Sequence, residues 1–179
     1  RPNILLLGSA DGLYLYNTVS HRSRQLYSDF YVEKILKDTN GNIWMATHKG
    51  LMLFDPVDNT RRYVNLDSSQ HHTLRNAGLK SIFQDSRGGL WIGTMSQGLF
   101  YLNCADGNPN NVRFISFKPD PSDPTRITPG VIYAIAEDED HNLWIAIENG
   151  GINMLNLAAF DRGNYSFTKV VSNPSDFLS

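Results

Sequence analysis

The side chains that could do chemistry are few and loosely spaced. Glu137, Asp138 and Glu148 come nearest to the paired carboxylates of glycoside hydrolysis, where an acid and a base or nucleophile flank one scissile bond. Nearness in sequence does not set two of them across a bond, so no catalytic residue is assigned. Asp138, Glu139 and Asp140 form the richest acidic cluster, but it lacks the bidentate Glu that closes a calcium loop. The pair His71-His72 invites zinc, yet adjacent residues rarely both reach one ion. Cys104 lies in the turn Asn103-Cys104-Ala105-Asp106-Gly107 with no local His to activate it. No nucleophile-elbow, Walker, Rossmann or His-Glu-x-x-His pattern occurs, and neither a metal nor a cofactor is expected.

What must position any site is a repeat. Asp38-Thr-Asn-Gly-Asn-Ile-Trp44-Met-Ala-Thr47 recurs as Asp85-Ser-Arg-Gly-Gly-Leu-Trp91-Ile-Gly-Thr94 and as Asp138-Glu-Asp-His-Asn-Leu-Trp144-Ile-Ala-Ile147. All three tryptophans occupy one repeat position, 47 and 53 residues apart (91 − 44 and 144 − 91). A degenerate copy opens the chain, with Leu5 aligned to the tryptophans and Gly12 to the later glycines. Within each unit, short β-branched and aromatic runs alternate with Gly, Asn, Asp and Pro clusters, which predicts four strands, a to d. Strands fall at Leu79–Gln84, Leu90–Thr94, Leu99–Asn103 and Val112–Phe117 in one unit, and at Val131–Glu137, Leu143–Ile147, Ile152–Leu157 and Tyr165–Val171 in the next. No sustained 3.6-residue period appears, so almost no helix is expected. A period of about 50 residues with four short strands per unit is the signature of β-propeller blades. The fold class is all-β: about 3.5 to 4 blades of four antiparallel strands, a partial propeller. The expected divisions are a blade remnant at 1–30 and blades at 31–70, 71–124 and 125–179. Asp-x-x-Gly closes the a-to-b hairpin through the Asp carboxylate and a positive-φ Gly; His141 stands where Gly41 and Gly88 do, so that turn is strained or of another type. Trp44, Trp91 and Trp144, repeated in place, are expected to pack blade on blade rather than to stack on sugars.

Composition agrees with a globular β domain. Of 179 residues 41% are hydrophobic and 19% charged, and 16 basic against 18 acidic residues give a net charge of −2. There is no basic field to hold nucleic acid or an anionic membrane. The single cysteine excludes an internal disulfide. The early apolar run Ile4–Leu7 is shorter than the ~7 to 15 residues of a signal-peptide core, and no run approaches the ~20 needed to span a bilayer. An export signal or anchor is therefore expected outside this chain.

The pattern Asp-x-x-Gly-x-Leu/Ile-Trp-Ile/Met-x-Thr-x-x-Gly-Leu, with the lead-in Thr73-Leu-Arg-Asn76 and its looser copy Thr125-Arg-Ile-Thr-Pro129, resembles the two-component regulator propeller repeat. Ile147 in place of Thr and Gly151-Ile152 after one extra glycine are modest departures. The resemblance implies the periplasmic sensor region of a Bacteroidetes hybrid histidine kinase. By the same implication the segment senses a ligand, an oligosaccharide, and passes the signal to a kinase outside this chain.

On such a scaffold the b-to-c and d-to-a loops share one face. The a-to-b turns repeat, whereas the b-to-c loops differ: His48-Lys49, Met95-Ser96-Gln97, Glu148-Asn149. Variable loops on a regular frame are where binding residues concentrate. The d-to-a connections add His71, His72, Arg75 and Arg126, suited to the carboxylate or sulfate of an acidic glycan. Asp38, Asp85 and Asp138 are assigned to structure together with the three tryptophans. Two other functions fit the same fold: a propeller enzyme, glycoside hydrolase or lyase, and a protein-interaction scaffold. Propellers close with 4 to 8 blades, so this arc is expected to be covered by the rest of the sensor propeller or by a second copy of the chain.

Overall fold

A computed structural model describes residues 3–64, 74–75, 77–103 and 112–170. They form four antiparallel sheets in chain order. The first has three strands: β1 (Ile4–Ser9), β2 (Gly12–Asn17) and β3 (Arg22–Tyr27). Four strands make the second: β4 (Val32–Lys37), β5 (Ile43–Thr47), β6 (Gly50–Asp55) and β7 (Thr60–Tyr63). The third is β8 (Leu79–Gln84), β9 (Leu90–Thr94), β10 (Leu99–Asn103) and β11 (Arg113–Phe117). The last is β12 (Ile132–Glu137), β13 (Asn142–Ile147), β14 (Gly151–Asn156) and β15 (Thr168–Val170). Each sheet is a meander whose neighbours in sequence are neighbours in space, and successive sheets stack face to face. This is a partial β-propeller.

One turn repeats at the start of each b strand. Asp38 accepts N–H bonds from Asn40 (3.0 Å) and Asn42 (2.8 Å), while the Gly41 N–H reaches the Asp38 carbonyl at 3.0 Å. Asp85 does the same for Arg87 (3.0 Å) and Gly89 (2.8 Å). Asp138 binds Asp140 and Asn142 at 3.0 and 2.8 Å, and His141 N–H closes the turn on its carbonyl at 3.1 Å. The third copy is therefore the same turn, entered by a non-glycine residue at φ +58°. A second contact holds that conformation: His141 Nδ1 lies 2.7 Å from Glu137 Oε1.

The core lies between sheets. In β5, Trp44 and Ala46 face the third sheet, where they join Leu79, Ile82, Leu90 and Ile92; Met45 faces the first sheet with Leu13 and Val32. Trp91 likewise enters the cluster it shares with Ile132, Ile135, Leu143 and Ile145 of the last sheet. Each buried indole donates its N–H to the turn Asp of its own blade, Trp44 to Asp38 and Trp91 to Asp85, both at 2.8 Å. Trp144 makes the same bond to Asp138 at 2.6 Å but is only half-buried, since no sheet among the described residues covers it.

The opening repeat is shifted by one residue from its sequence alignment. Ser9 pairs with Gly12 as Thr47 pairs with Gly50, which sets Leu6, not Leu5, at the tryptophan position. Leu6 packs into the interface with the second sheet, while Leu5 and Leu7 are 49% and 43% exposed. The misalignment came from the seven-residue step between Trp and Gly in the last two units; the first two have a shorter loop and a step of six. Because side chains alternate, one residue of register exchanges the two faces. Two residues beyond each tryptophan position the side chain is always small, and Gly8 shows why: a Cβ there would stand 2.5 Å from Val32 Cγ1 of the next sheet.

A short helix, α1 (Leu157–Asp161), follows β14, its first residue being the last one expected for the c strand and its presence against the expectation of almost no helix. Asn156 caps it by accepting the Ala159 N–H at 2.9 Å, and it buries Leu157 and Phe160. Phe160 meets Trp91 edge-on at 5.2 Å and Tyr101 at 4.8 Å. Five residues hold barely more than one turn, too few for a helical period to register.

Candidate functional site

The inner strands carry one bulge each, at the same place. Register shifts between Val32 and Lys34, between Leu79 and Ser81, and between Ile132 and Ala134 leave Glu33, Lys80 and Tyr133 as the extra residues. A bulge frees a side chain from the pleat and re-aims it. Beside each bulge the following b-to-c loop docks on the residue that precedes the inner strand. His48 N–H donates to Tyr31 O at 3.4 Å, Met95 N–H to Gly78 O at 2.9 Å and Glu148 N–H to Val131 O at 2.9 Å. One face is thus framed by identical backbone bonds and surfaced by unlike side chains.

The expected site residues fall on this face in separate groups. His48 Nδ1 accepts the Tyr31 N–H at 2.8 Å, and the two rings lie 4.4 Å apart, so this nitrogen closes the loop rather than meeting a ligand. Lys49 Nζ donates to the Asp29 carbonyl and lies 3.9 Å from its carboxylate. Asp29 is also held by Arg61 at 2.8 Å. The Arg75 guanidinium sits 4.4 Å over the Tyr63 ring. Arg126 pairs with Asp123 at 3.3 Å. Gln97 is exposed, its N–H bonded to Thr94 Oγ1 at 2.9 Å. Glu148 Oε1 accepts from the Tyr133 hydroxyl at 3.3 Å, and Asn149 stands exposed at φ +54°. His71, His72 and Cys104 lie outside the described residues.

Sequence reasoning passed over Glu33, Lys80, Tyr133 and Tyr31. Glu33 and Lys80 form an ion pair at 2.5 Å that links the inner strands of the second and third sheets. Tyr31 and Tyr133 are each 53% exposed, and Met95 is 49% exposed. Aligned, the three copies hold Glu, Lys and Tyr after Val32, Leu79 and Ile132, but the next position also differs, Lys34, Ser81 and Ala134, so the sequence does not single the bulge residue out.

The candidate catalytic carboxylates do not converge. Glu137 and Asp138 sit at the a-to-b end of the last blade and Glu148 at the other end of β13, six residues or about 20 Å away at ~3.3 Å per residue. That exceeds the ~5 to 9.5 Å at which two carboxyls cooperate on a glycosidic bond. Glu137 is engaged in joining blades: it accepts from Ser86 N–H at 2.7 Å and Ser86 Oγ at 2.6 Å besides its His141 contact. Burial would push the Glu137 carboxyl up, but these bonds outweigh it and hold it below its ordinary value. Ser86 and Glu137 both meet His141 at Nδ1, which is not the relay of a nucleophilic triad. Asp138 is lowered to about 2, chiefly by the Asn142 N–H and then by the Trp144 indole. At the same a-to-b end, Arg87 binds Asp85 at 2.7 Å and Asp161 at 2.5 Å. Burial disfavours the Arg87 charge, yet the two carboxylates raise it above its ordinary value. Among the described residues no group of three or more His, Cys, Asp or Glu side chains is placed to hold a metal ion.

Comparison with known proteins agrees with the repeat and the fold. The family model "two component regulator propeller" matches residues 73–96 and 127–149. A histidine kinase P4 of Formosa agariphila is 30% identical over 91 residues, which is 50% of this chain and 6% of that protein. Among solved structures, the extracellular domain described as the hybrid two-component system BT3049 of B. thetaiotaomicron superposes with TM-score 0.65 at 27% identity, over 86% of this chain and 19% of that one. The corresponding domain of BT4673 from the same organism gives TM-score 0.71 at 18% identity, over 97% and 22%. The chain therefore spans only a small part of the length of the proteins it matches. Two of its segments, residues 73–96 and 127–149, match the two-component regulator propeller repeat.

Proposed function

We propose that this chain, with its matches to the two-component regulator propeller repeat, is a ligand-sensing segment of a periplasmic sensor, that its ligand is an oligosaccharide, and that occupancy is relayed to a histidine kinase outside residues 1–179. The observation that carries the reading is the contrast between frame and surface on one face. Three equivalent bulges and three equivalent loop bonds fix the backbone, while the side chains they present, Glu33, Lys80 and Tyr133 with His48, Met95 and Glu148, differ from blade to blade. A purely structural face would repeat its residues as the Asp–Trp turns do. A 27% identical extracellular domain of a hybrid two-component system supports the sensor role. The exposed Leu5 and Leu7 at one end, and half-buried Trp144 with Ile152 (42% exposed) at the other, are the faces that further blades or a second copy would cover.

The test is a thermal-shift screen of the chain against plant, host and microbial oligosaccharides. A ligand at a hundred times its Kd adds about 2.7 kcal/mol, which for a domain of this size raises Tm by roughly 5 to 10 °C. A saturable shift with the sugar recovered intact supports the sensor. Released product would assign the chain to a hydrolase or lyase, and no shift with any glycan would remove the oligosaccharide.

A further inference from the structure

The charges on the binding face point away from an acidic ligand, although its basic residues suggested one. Lys49 is taken by Asp29, Lys80 by Glu33 and Arg126 by Asp123, while the Arg75 guanidinium sits 4.4 Å over the Tyr63 ring. Each of these cations on the described face already has a partner. At Lys49, Lys80 and Arg126 an incoming carboxylate or sulfate would have to displace an intramolecular carboxylate, exchanging one ion pair for another with no net gain, and would leave the displaced acid beside it; Arg75 has an aromatic partner and no carboxylate to displace. What the face offers without rearrangement is aromatic and hydrogen-bonding surface: the exposed rings of Tyr31 and Tyr133, and a carboxylate acceptor at Glu148. Ring faces receive the C–H face of a sugar, and carboxylates accept its hydroxyls while repelling an anion.

The two rings are carried by the second and last sheets, with the third sheet between them bearing Lys80 and Met95. Stacked sheets lie roughly 10 Å apart, so the rings are separated by up to about 20 Å. A span of that order suits a short chain of sugars.

Resting on the sensing role proposed above, we infer that the ligand is an uncharged oligosaccharide lying across Tyr31 and Tyr133, with the third sheet's inner strand beneath it. The experiment is isothermal titration of the full 179-residue chain with two sets of probes. Cellohexaose, xylohexaose and mannohexaose form the neutral set; hexagalacturonate and a sulfated carrageenan hexasaccharide form the anionic set. A neutral probe is expected to bind with affinity that hardly changes between low and high salt. Tyr31→Ala and Tyr133→Ala should each weaken it by about tenfold, while Tyr31→Phe and Tyr133→Phe retain most of it, with unchanged melting showing that the variants fold. Salt-sensitive binding of an anionic probe alone would overturn the inference and leave the sensing role standing. Neutral binding that survives both alanine variants would overturn the placement. Failure of every probe in both sets would overturn this inference and the oligosaccharide ligand it rests on.

Discussion

The indole N–H of Trp91 donates to Oδ2 of Asp85 across 2.8 Å, joining the b strand of a blade to the turn that introduces it. The carboxylate is fully buried and also satisfies the N–H groups of Arg87 and Gly89, so the turn, the strand and the blade interface share one acceptor. Trp91→Phe keeps an aromatic ring in the interface and removes one donor. The expected loss is about 1 to 3 kcal/mol in urea unfolding. Trp144→Phe should fall at the lower end, because water can reach the vacated acceptor around a half-buried ring. Equal losses at the two sites would show that the bond, not its burial, sets the cost.

Asp138 gives the acid limb of stability. Its folded pKa, about 2, is depressed from 3.8 by the Asn142 N–H and the Trp144 indole. A depressed carboxylate stabilises the fold above its unfolded pKa, and that contribution is lost as pH falls from 3.8 toward about 2. Asp138→Asn should flatten the slope of stability against pH in that window and leave the neutral-to-alkaline limb unchanged, as followed by circular dichroism during acid titration.

Gly93 marks the close approach of the third and last sheets. A Cβ there would lie 2.5 Å from Ile132 Cγ2, and Ser81 Oγ, beside it, donates to the Ile132 carbonyl at 2.9 Å. Gly93→Val is expected to overpack the interface and cost about 1 to 3 kcal/mol, measured by thermal unfolding. A neutral result would mean the sheets can separate without penalty.

The register of β1 is testable by charge. Leu5→Lys places an ammonium on an exposed face and should change stability by no more than about 0.5 kcal/mol. Leu6→Lys sets the same group into the half-buried contact with the second sheet and should destabilise by several times that; Leu6→Ala then supplies a measurable loss of about 1 kcal/mol. The reverse order would restore the alignment that puts Leu5 at the tryptophan position.

Much of the architecture was legible in the residues. Asp38, Asp85 and Asp138 with their tryptophans defined the repeat, and strands β8, β9 and β10 fall on the bounds their sequence implies. Less was legible where a local pattern is too short or too degenerate. Leu6 carries no mark that separates it from Leu5, and the five residues of α1 do not complete two turns.

By itself the sequence determined the repeat, the strand-forming segments and the turn chemistry, because these depend on residues within a few positions of one another. Tertiary structure alone decided which face each side chain occupies and which charges are spent. Glu33, Lys80 and Tyr133 became a set because each inner strand holds one residue more than its partner, a property of two strands together. The partners of Lys49, Lys80 and Arg126 depend on distances, at most 3.9 Å, between groups up to 47 residues apart. Stacking the sheets brings Lys80 of the third to Glu33 of the second, while Lys49 meets Asp29 of the connection entering its own blade and Arg126 meets Asp123 within its own loop; together these pairings decide how the face meets an anion.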